Sequence, residues 1–260
     1  MYNIFYDFGG TNKALFQFIN NLANVSIFPH ILKIISEFFF IGNFAVYYFV
    51  LCLYCYWRLK RQHAVIAPSP KVIASEAKQS QEAYDNHYSK PHEIATPSSK
   101  ARNDAANSSL LAGDDFSHTY NQLVKVGMCY ALFGLAYAAM KFSINLPRPF
   151  CSLPASAFTT ILDVTNERCL SSFPSAHTGL AIIIAYYLWP YLKNYQKLAA
   201  LLIIILVALS RITLAMHYPA DILYSIIIAF GLIYLNENLF KLLYKNLIRP
   251  IGIIISRLIF

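Results

Sequence analysis

The chain has 260 residues, of which 57% are hydrophobic and 13% charged, with a net charge of +8. A soluble domain carries about 25% charged residues, so this composition points to a protein that lives in a bilayer. It argues against a nucleic-acid partner despite the positive balance, because the basic residues stand at the ends of apolar runs and form no patch with interleaved aromatics.

In chain order, the N-terminus MYNIFYDFGG lacks the basic n-region and compact apolar core of a cleavable signal peptide. Residues 13–32 carry Asn20, Asn21, Asn24 and Pro29, which suits an amphipathic helix at the membrane interface better than a span. Five apolar runs are expected to cross as helices, at about Ile35–Trp57, Leu123–Met140, Ala176–Leu192, Leu198–Leu214 and Ile222–Leu235. The expected fold class is therefore all-α, a polytopic transmembrane bundle of five to six spans, the sixth depending on the N-terminal segment. Cys52 and Cys55 form a CxxC inside an apolar run and read as inert thiols, not zinc ligands.

Residues 62–118 are polar and hold about half of the acidic residues of the chain. They cannot bury enough apolar surface to offset their ordering entropy, so a disordered or partly helical insertion is expected. The text VIASEAKQS followed by HEIATPSSKARNDAA resembles translated palindromic repeat elements inserted in bacterial reading frames, which carry no chemistry. The tail RPIGIIISRLIF is too short to cross alone and is expected at the membrane surface or packed beside its neighbours. The expected division is residues 1–61, the insertion 62–118, a catalytic core 119–240 and a tail 241–260.

Charge bias orients the spans. Arg58, Lys60, Arg61, Lys193, Lys197, Lys241 and Lys245 mark one end as cytoplasmic by the positive-inside rule. Alternation then brings three polar clusters to the outer face. KFSINLPRP closes the second span with Lys141 and places Arg148 between Pro147 and Pro149. FPSAHTG sets Ser175, Ala176 and His177 at the start of the third span, and SRITLAMHYPAD carries Arg211, His217 and Asp221 between the fourth and fifth. An ionisable side chain inside a bilayer costs roughly 2.5–3.5 kcal/mol on the lenient insertion scale, so such residues read as functional.

Three cations, a serine hydroxyl and the free backbone N–H groups of a helix start describe a receptor for a dense oxyanion such as a phosphoryl group, with no metal required. Two histidines beside it divide the remaining work, one attacking phosphorus and one protonating the departing oxygen. Asp221, four residues after His217, is placed to fix one imidazole tautomer.

The patterns K-x6-RP, PSxH and SR-x5-HxxxD, in this order and over about Leu123 to Leu235, resemble the three-part signature of the type 2 phosphatidic acid phosphatases, which share their site with vanadium-dependent haloperoxidases. The resemblance implies that His217 is a nucleophile forming a phosphohistidine, His177 the general acid and Asp221 the partner of His217. Lys141, Arg148, Ser175, Arg211 and the backbone N–H near Ala176 would bind the phosphoryl oxygens. The family most often has Gly where this chain has Ala176, which is harmless unless that position needs positive φ.

The implied activity is hydrolysis of a membrane lipid phosphomonoester or pyrophosphate, among them phosphatidate, phosphatidylglycerophosphate, undecaprenyl pyrophosphate or a lipid A phosphate, without a cofactor. The implied setting is a bacterial inner membrane with the site facing the periplasm. A lipid-to-lipid phosphotransferase and a non-catalytic transporter are the alternatives, the latter disfavoured because the polar residues gather at one end only. An oxidising periplasm would permit Cys151 and Cys169 to pair and close their loop. His30, His63, His87, His92 and His118 fall outside the clusters, and Glu37 reads as a boundary residue.

Overall fold

The computed structural model describes residues 6–23, 27–66 and 99–259, and all regular structure among these residues is helical, as an all-α bundle requires. In chain order the helices are α1 (Thr11–Ala23), α2 (Phe28–Phe38), α3 (Ile41–Ile66), α4 (Ser99–Ile144), α5 (Ala176–Leu188), α6 (Asn194–Thr213), α7 (Pro219–Leu243) and α8 (Arg249–Ile259), with short turns between them. The middle of the polar insertion, residues 67–98, lies outside the described residues. The insertion's two ends are helical, continuing α3 to Ile66 and opening α4 at Ser99.

The chain divides into two units. Residues 50–124 with 244–260 form one of them; in it the Tyr120 hydroxyl donates to the Ile248 carbonyl at 3.1 Å. Gly252 lets α8 lie against the Tyr120 ring, since a Cβ there would fall 2.7 Å from a ring carbon. Residues 1–49 with 125–243 form the other unit, which carries every candidate site residue.

The core of this larger unit is an apolar seam of Phe44 from α3, Cys129, Phe133 and Tyr137 from α4, Leu180, Ile182 and Ile183 from α5, and Ala229 and Ile233 from α7. The helix α5 is apolar all round and buried from Thr178 to Ile183, the pattern of a helix enclosed by others. Gly179 makes that enclosure possible: a Cβ there would run into the Tyr137 hydroxyl and stand 2.9 Å from the Phe133 ring.

Among the described residues, three helical segments are long and apolar enough to cross a membrane, Phe116–Ser152, Asn194–Thr213 and Pro219–Leu258, and four if the bent pair Phe28–Phe38 with Ile41–Arg61 is counted. Two features account for the difference from five to six. First, α5 has 13 residues and gives way to a single 3-10 turn at Trp189–Tyr191, where Pro190 stands. At about 1.5 Å per residue it covers about 20 Å, short of about 30 Å of hydrocarbon. Secondly, the first expected span is broken, with α2 and α3 meeting at 55° and Asn43 Nδ2 donating to the Glu37 carbonyl across the bend at 2.9 Å. The C-terminal tail continues the helical run of α7 through a π-type segment, Tyr244–Ile248, and does not start as a separate surface helix.

The N-terminal segment departs most from the interfacial reading. Both α1 and α2 pack against α6, and α1 also meets α7. Asn12, Phe16 and Asn20, each four residues apart, are buried, while Leu15, Phe18 and Leu22 are exposed. The buried stripe thus carries two asparagines beside Phe16, while large apolar side chains face outward.

Candidate active site

Lys141 lies in the last turn of α4. Asn145 ends that helix in the left-handed region at φ 50°, a conformation Asn tolerates better than most, and its amide donates to the Phe142 carbonyl at 3.0 Å. Arg148, between two prolines, is extended and turns the chain into a single helical turn at Pro149–Ser152. Its backbone N–H donates to the Cys169 carbonyl at 2.9 Å, and Ser172 N–H donates to the Leu146 carbonyl at 3.0 Å. Cys151 and Cys169 are joined by a disulfide with their Cα atoms 5.7 Å apart. The long loop is thereby tied at its return to the exit of α4, and the Lys141 ammonium donates to the Ser171 carbonyl at 2.7 Å.

The loop hands over to α5 at Ser175, which is fully buried and extended, with its hydroxyl 3.1 Å from that of Thr178. Ala176 is the first residue of α5 and is not among the positive-φ residues, so alanine is unstrained where the family prefers glycine. His177, in the first turn, stands 6.3 Å from the Phe40 ring and interacts electrostatically with Arg211, His217, Lys141 and Arg148.

Arg211 closes α6 and is 7% exposed, with Nη1 donating to the Ser36 hydroxyl of α2. The chain then reverses through Ala215 at φ 55°, a conformation costing a non-glycine residue roughly 1–2 kcal/mol. Backbone bonds hold it there: Ala215 N–H donates to the Ile212 carbonyl at 3.0 Å, and Met216 and His217 N–H both donate to the Arg211 carbonyl at 3.0 and 3.1 Å. This reversal delivers His217, 2% exposed, beside the start of α7.

His217 Nδ1 is 3.5 Å from Asp221 Oδ2. That carboxylate is fixed by three donors: the Tyr6 hydroxyl on Oδ1 at 2.7 Å, and the Ser172 hydroxyl and Tyr218 N–H on Oδ2 at 2.5 and 2.8 Å. Burial, and then the positive charges of Lys141, Arg211 and Arg148, hold the His217 imidazole well below its ordinary value of 6.5. It is therefore neutral at pH 7 and carries a lone pair, with Asp221 facing Nδ1.

The cations are incompletely satisfied. Arg148 Nη1 pairs with the half-exposed Glu167 at 2.7 Å and also meets Met216 Sδ at 3.0 Å. Nε of Arg148 and Nε of Arg211 are buried with no hydrogen-bond partner among the described residues. Two buried guanidinium donors left open are costly unless an acceptor comes to them. Chemically, the arrangement is a cationic pocket beside a neutral, carboxylate-backed imidazole and a second histidine.

Of the eight residues marked in the sequence, Lys141, Arg148, His177, Arg211 and His217 lie near enough to interact electrostatically, Asp221 faces His217, and Ser175 and Ala176 immediately precede His177. Glu37 is exposed on α2 and faces Lys33 at 3.9 Å. Cys52 and Cys55 are half-buried free thiols. Five contributors escaped the sequence reading: Tyr6 and Ser172 on Asp221, Ser36 on Arg211, Glu167 on Arg148, and Asn20. The last donates to the Thr213 and Thr159 carbonyls at 2.8 and 2.9 Å and accepts Thr159 N–H at 2.8 Å. For Asn20 a signal existed, its spacing of four from Phe16 and eight from Asn12; for Tyr6 there was none.

Residues 122–259 match the family model of the PAP2 superfamily, which covers more than half of the chain, and the chain belongs to that superfamily. It is accordingly a membrane enzyme of phosphatase type. Neither a curated protein nor a solved structure matches it.

Proposed function

We propose that the chain hydrolyses a phosphomonoester or pyrophosphate of a membrane lipid through a phosphohistidine on His217, without a metal, at the outer face of a bacterial inner membrane. The observation that carries this reading is the set of open guanidinium donors beside a neutral imidazole backed by a buried carboxylate. Lys141, Arg148 and Arg211 receive the phosphoryl oxygens, helped by the N–H groups at the start of α5 and the Ser175 hydroxyl.

His217 attacks phosphorus through the nitrogen turned away from Asp221, while Nδ1 faces that carboxylate at 3.5 Å, whose charge offsets the positive charge that develops. The P–O bond to the leaving group breaks as His177 gives that oxygen a proton. Water then attacks the phosphohistidine, His177 takes the water's proton, and the N–P bond breaks to free phosphate and His217. An incoming dianion also helps His177 to hold its proton among the surrounding cations. Positioning and charge compensation are the main requirements of phosphoryl transfer, and side chains supply both here. A disulfide in the loop that carries Arg148 accords with an oxidising outer side.

The test is purified protein with phosphatidate, phosphatidylglycerophosphate, undecaprenyl pyrophosphate and a lipid A phosphate, in chelator, measuring free phosphate. Release from at least one lipid, abolished in His217→Ala protein of unchanged yield, is expected. Phosphate appearing on a second lipid would make the enzyme a transferase, and strict dependence on magnesium would overturn the metal-free charge balance.

A further inference from the structure

Resting on the reading of His217 as nucleophile, we infer that Tyr6 is a positioning residue of this reaction, its hydroxyl holding the Asp221 carboxylate against the His217 imidazole. Tyr6 lies far outside the residues that match the family model, 122–259, and 215 positions from its partner in sequence.

The geometry separates the two carboxylate oxygens. Oδ1 accepts the Tyr6 hydroxyl at 2.7 Å, while Oδ2 accepts Ser172 and Tyr218 N–H and faces His217 Nδ1 at 3.5 Å. A donor on Oδ1 opposes rotation of the carboxylate, which would carry Oδ2 away from the imidazole. It also takes a share of the negative charge, so the imidazole meets a tempered base.

The Tyr6 ring is wedged between the loops that bear the two histidines. It makes edge contacts with Phe173, four residues before His177, at 6.4 Å, and with Tyr218, next to His217, at 6.3 Å. A second tie keeps the segment in place at the same helix start: Asn12 Oδ1 accepts the Ala220 N–H at 2.9 Å. Burial and the nearby Asp221 charge push the Tyr6 hydroxyl far above the ordinary tyrosine value, so it stays protonated and donates throughout the working pH range.

Removing this donor has a defined sign. With Oδ1 unshared, the carboxylate stabilises the imidazolium more, against Lys141 from α4, Arg211 from α6, His177 from α5 and Arg148 from the loop, which all oppose it. His217 then takes up its proton at higher pH, and the acid limb of the kcat profile moves upward. A tyrosine that merely glued the N-terminus to the core would lower stability and leave that limb where it was.

The experiment compares wild type, Tyr6→Phe, Asp221→Asn and the double variant on the lipid phosphate turned over fastest. In Tyr6→Phe we expect kcat to fall about tenfold, on the order of one charge-assisted hydrogen bond, with KM within about twofold and the acid limb displaced upward. In the Asp221→Asn background the same change should cost nothing further, because the acceptor it serves is gone. Should Tyr6→Phe fold poorly, 3,5-difluorotyrosine at position 6 keeps the shape with a stronger donor and should move the limb downward.

An unmoved limb in both variants, or an equal loss with and without the Asp221 carboxylate, overturns the inference while leaving the phosphatase reading intact. Wild type that releases no phosphate, or His217→Ala protein that matches it, overturns both.

Discussion

Asn20 offers a sharp test of the N-terminal segment, because its neighbour Asn21 is a built-in control on the exposed side of the same helix. The Asn20 side chain is fully buried. Its amide donates to the Thr213 and Thr159 carbonyls at 2.8 and 2.9 Å, and its carbonyl accepts Thr159 N–H at 2.8 Å. Thr213 is the last residue of α6, whose terminal carbonyls have no partner within the helix, so Asn20 caps it from a distant part of the chain. Each such bond is worth about 1 kcal/mol net, and an orphaned buried group costs about 1–3 kcal/mol. Asn20→Ala should therefore lose about 3 kcal/mol, whereas an exposed change such as Asn21→Ala should stay within about 0.5 kcal/mol. Thermal unfolding of the two variants in one detergent, followed by fluorescence, reads the difference. Because the capped helix end also opens the reversal that carries His217, kcat should fall in Asn20→Ala even well below its melting point. If the two asparagine variants melt together and turn over alike, α1 is a passenger on the membrane surface after all.

Two further outcomes follow from the site. Glu167→Gln removes the ion pair with Arg148; half-exposed, that pair is worth little to stability, but the phosphoryl group competes with it, so KM should drop several-fold with kcat unchanged in steady-state phosphate release. His217, held well below its ordinary value of 6.5 in the free enzyme, should place the acid limb of kcat/KM below that value; the unfolded chain binds this proton first, so stability also falls as pH drops below 6.5, and a kcat/KM limb at or above 6.5 contradicts the burial argument.

The sequence was most informative where chemistry is concentrated in short runs. Lys141, Arg148, His177, Arg211, His217 and Asp221 are costly in apolar surroundings, so their positions at the ends of apolar runs gave reason to group them, and the folded chain does bring the two histidines near the three cations. Helix length was less legible. In composition the stretch from Ala176 to Leu192 resembles a crossing, yet α5 needs no full span because other helices enclose it, and Pro190 ends it early. Least legible was the N-terminal cover. Asparagine on an amphipathic helix ordinarily signals water, but Asn12 and Asn20 instead meet backbone groups left open at the start of α7 and the end of α6. Those openings exist only once distant segments have folded, so no local pattern could announce them. The same holds for Tyr6, Ser36 and Glu167, each defined by a partner more than a few residues away.

The charges of the site form a pattern that calls for an anionic ligand. Lys141 and Arg211 stand in the last turns of α4 and α6, and Asp221 in the first turn of α7, each at the helix end whose dipole suits its sign. The dipoles ease burial but leave the count unequal, since three cations face one buried carboxylate and leave two positive charges over. Glu167 offsets one of them through Arg148, and being half-exposed it can swing out to water at small cost. A phosphoryl dianion that displaces it then neutralises both remaining charges, giving the open Nε donors of Arg148 and Arg211 their acceptor. A singly charged ligand would balance the same count with Glu167 left on Arg148, so the count alone does not separate one anionic phosphate from the other. The charge count thus calls for an anion at the two guanidiniums before any fit of the lipid tail is considered.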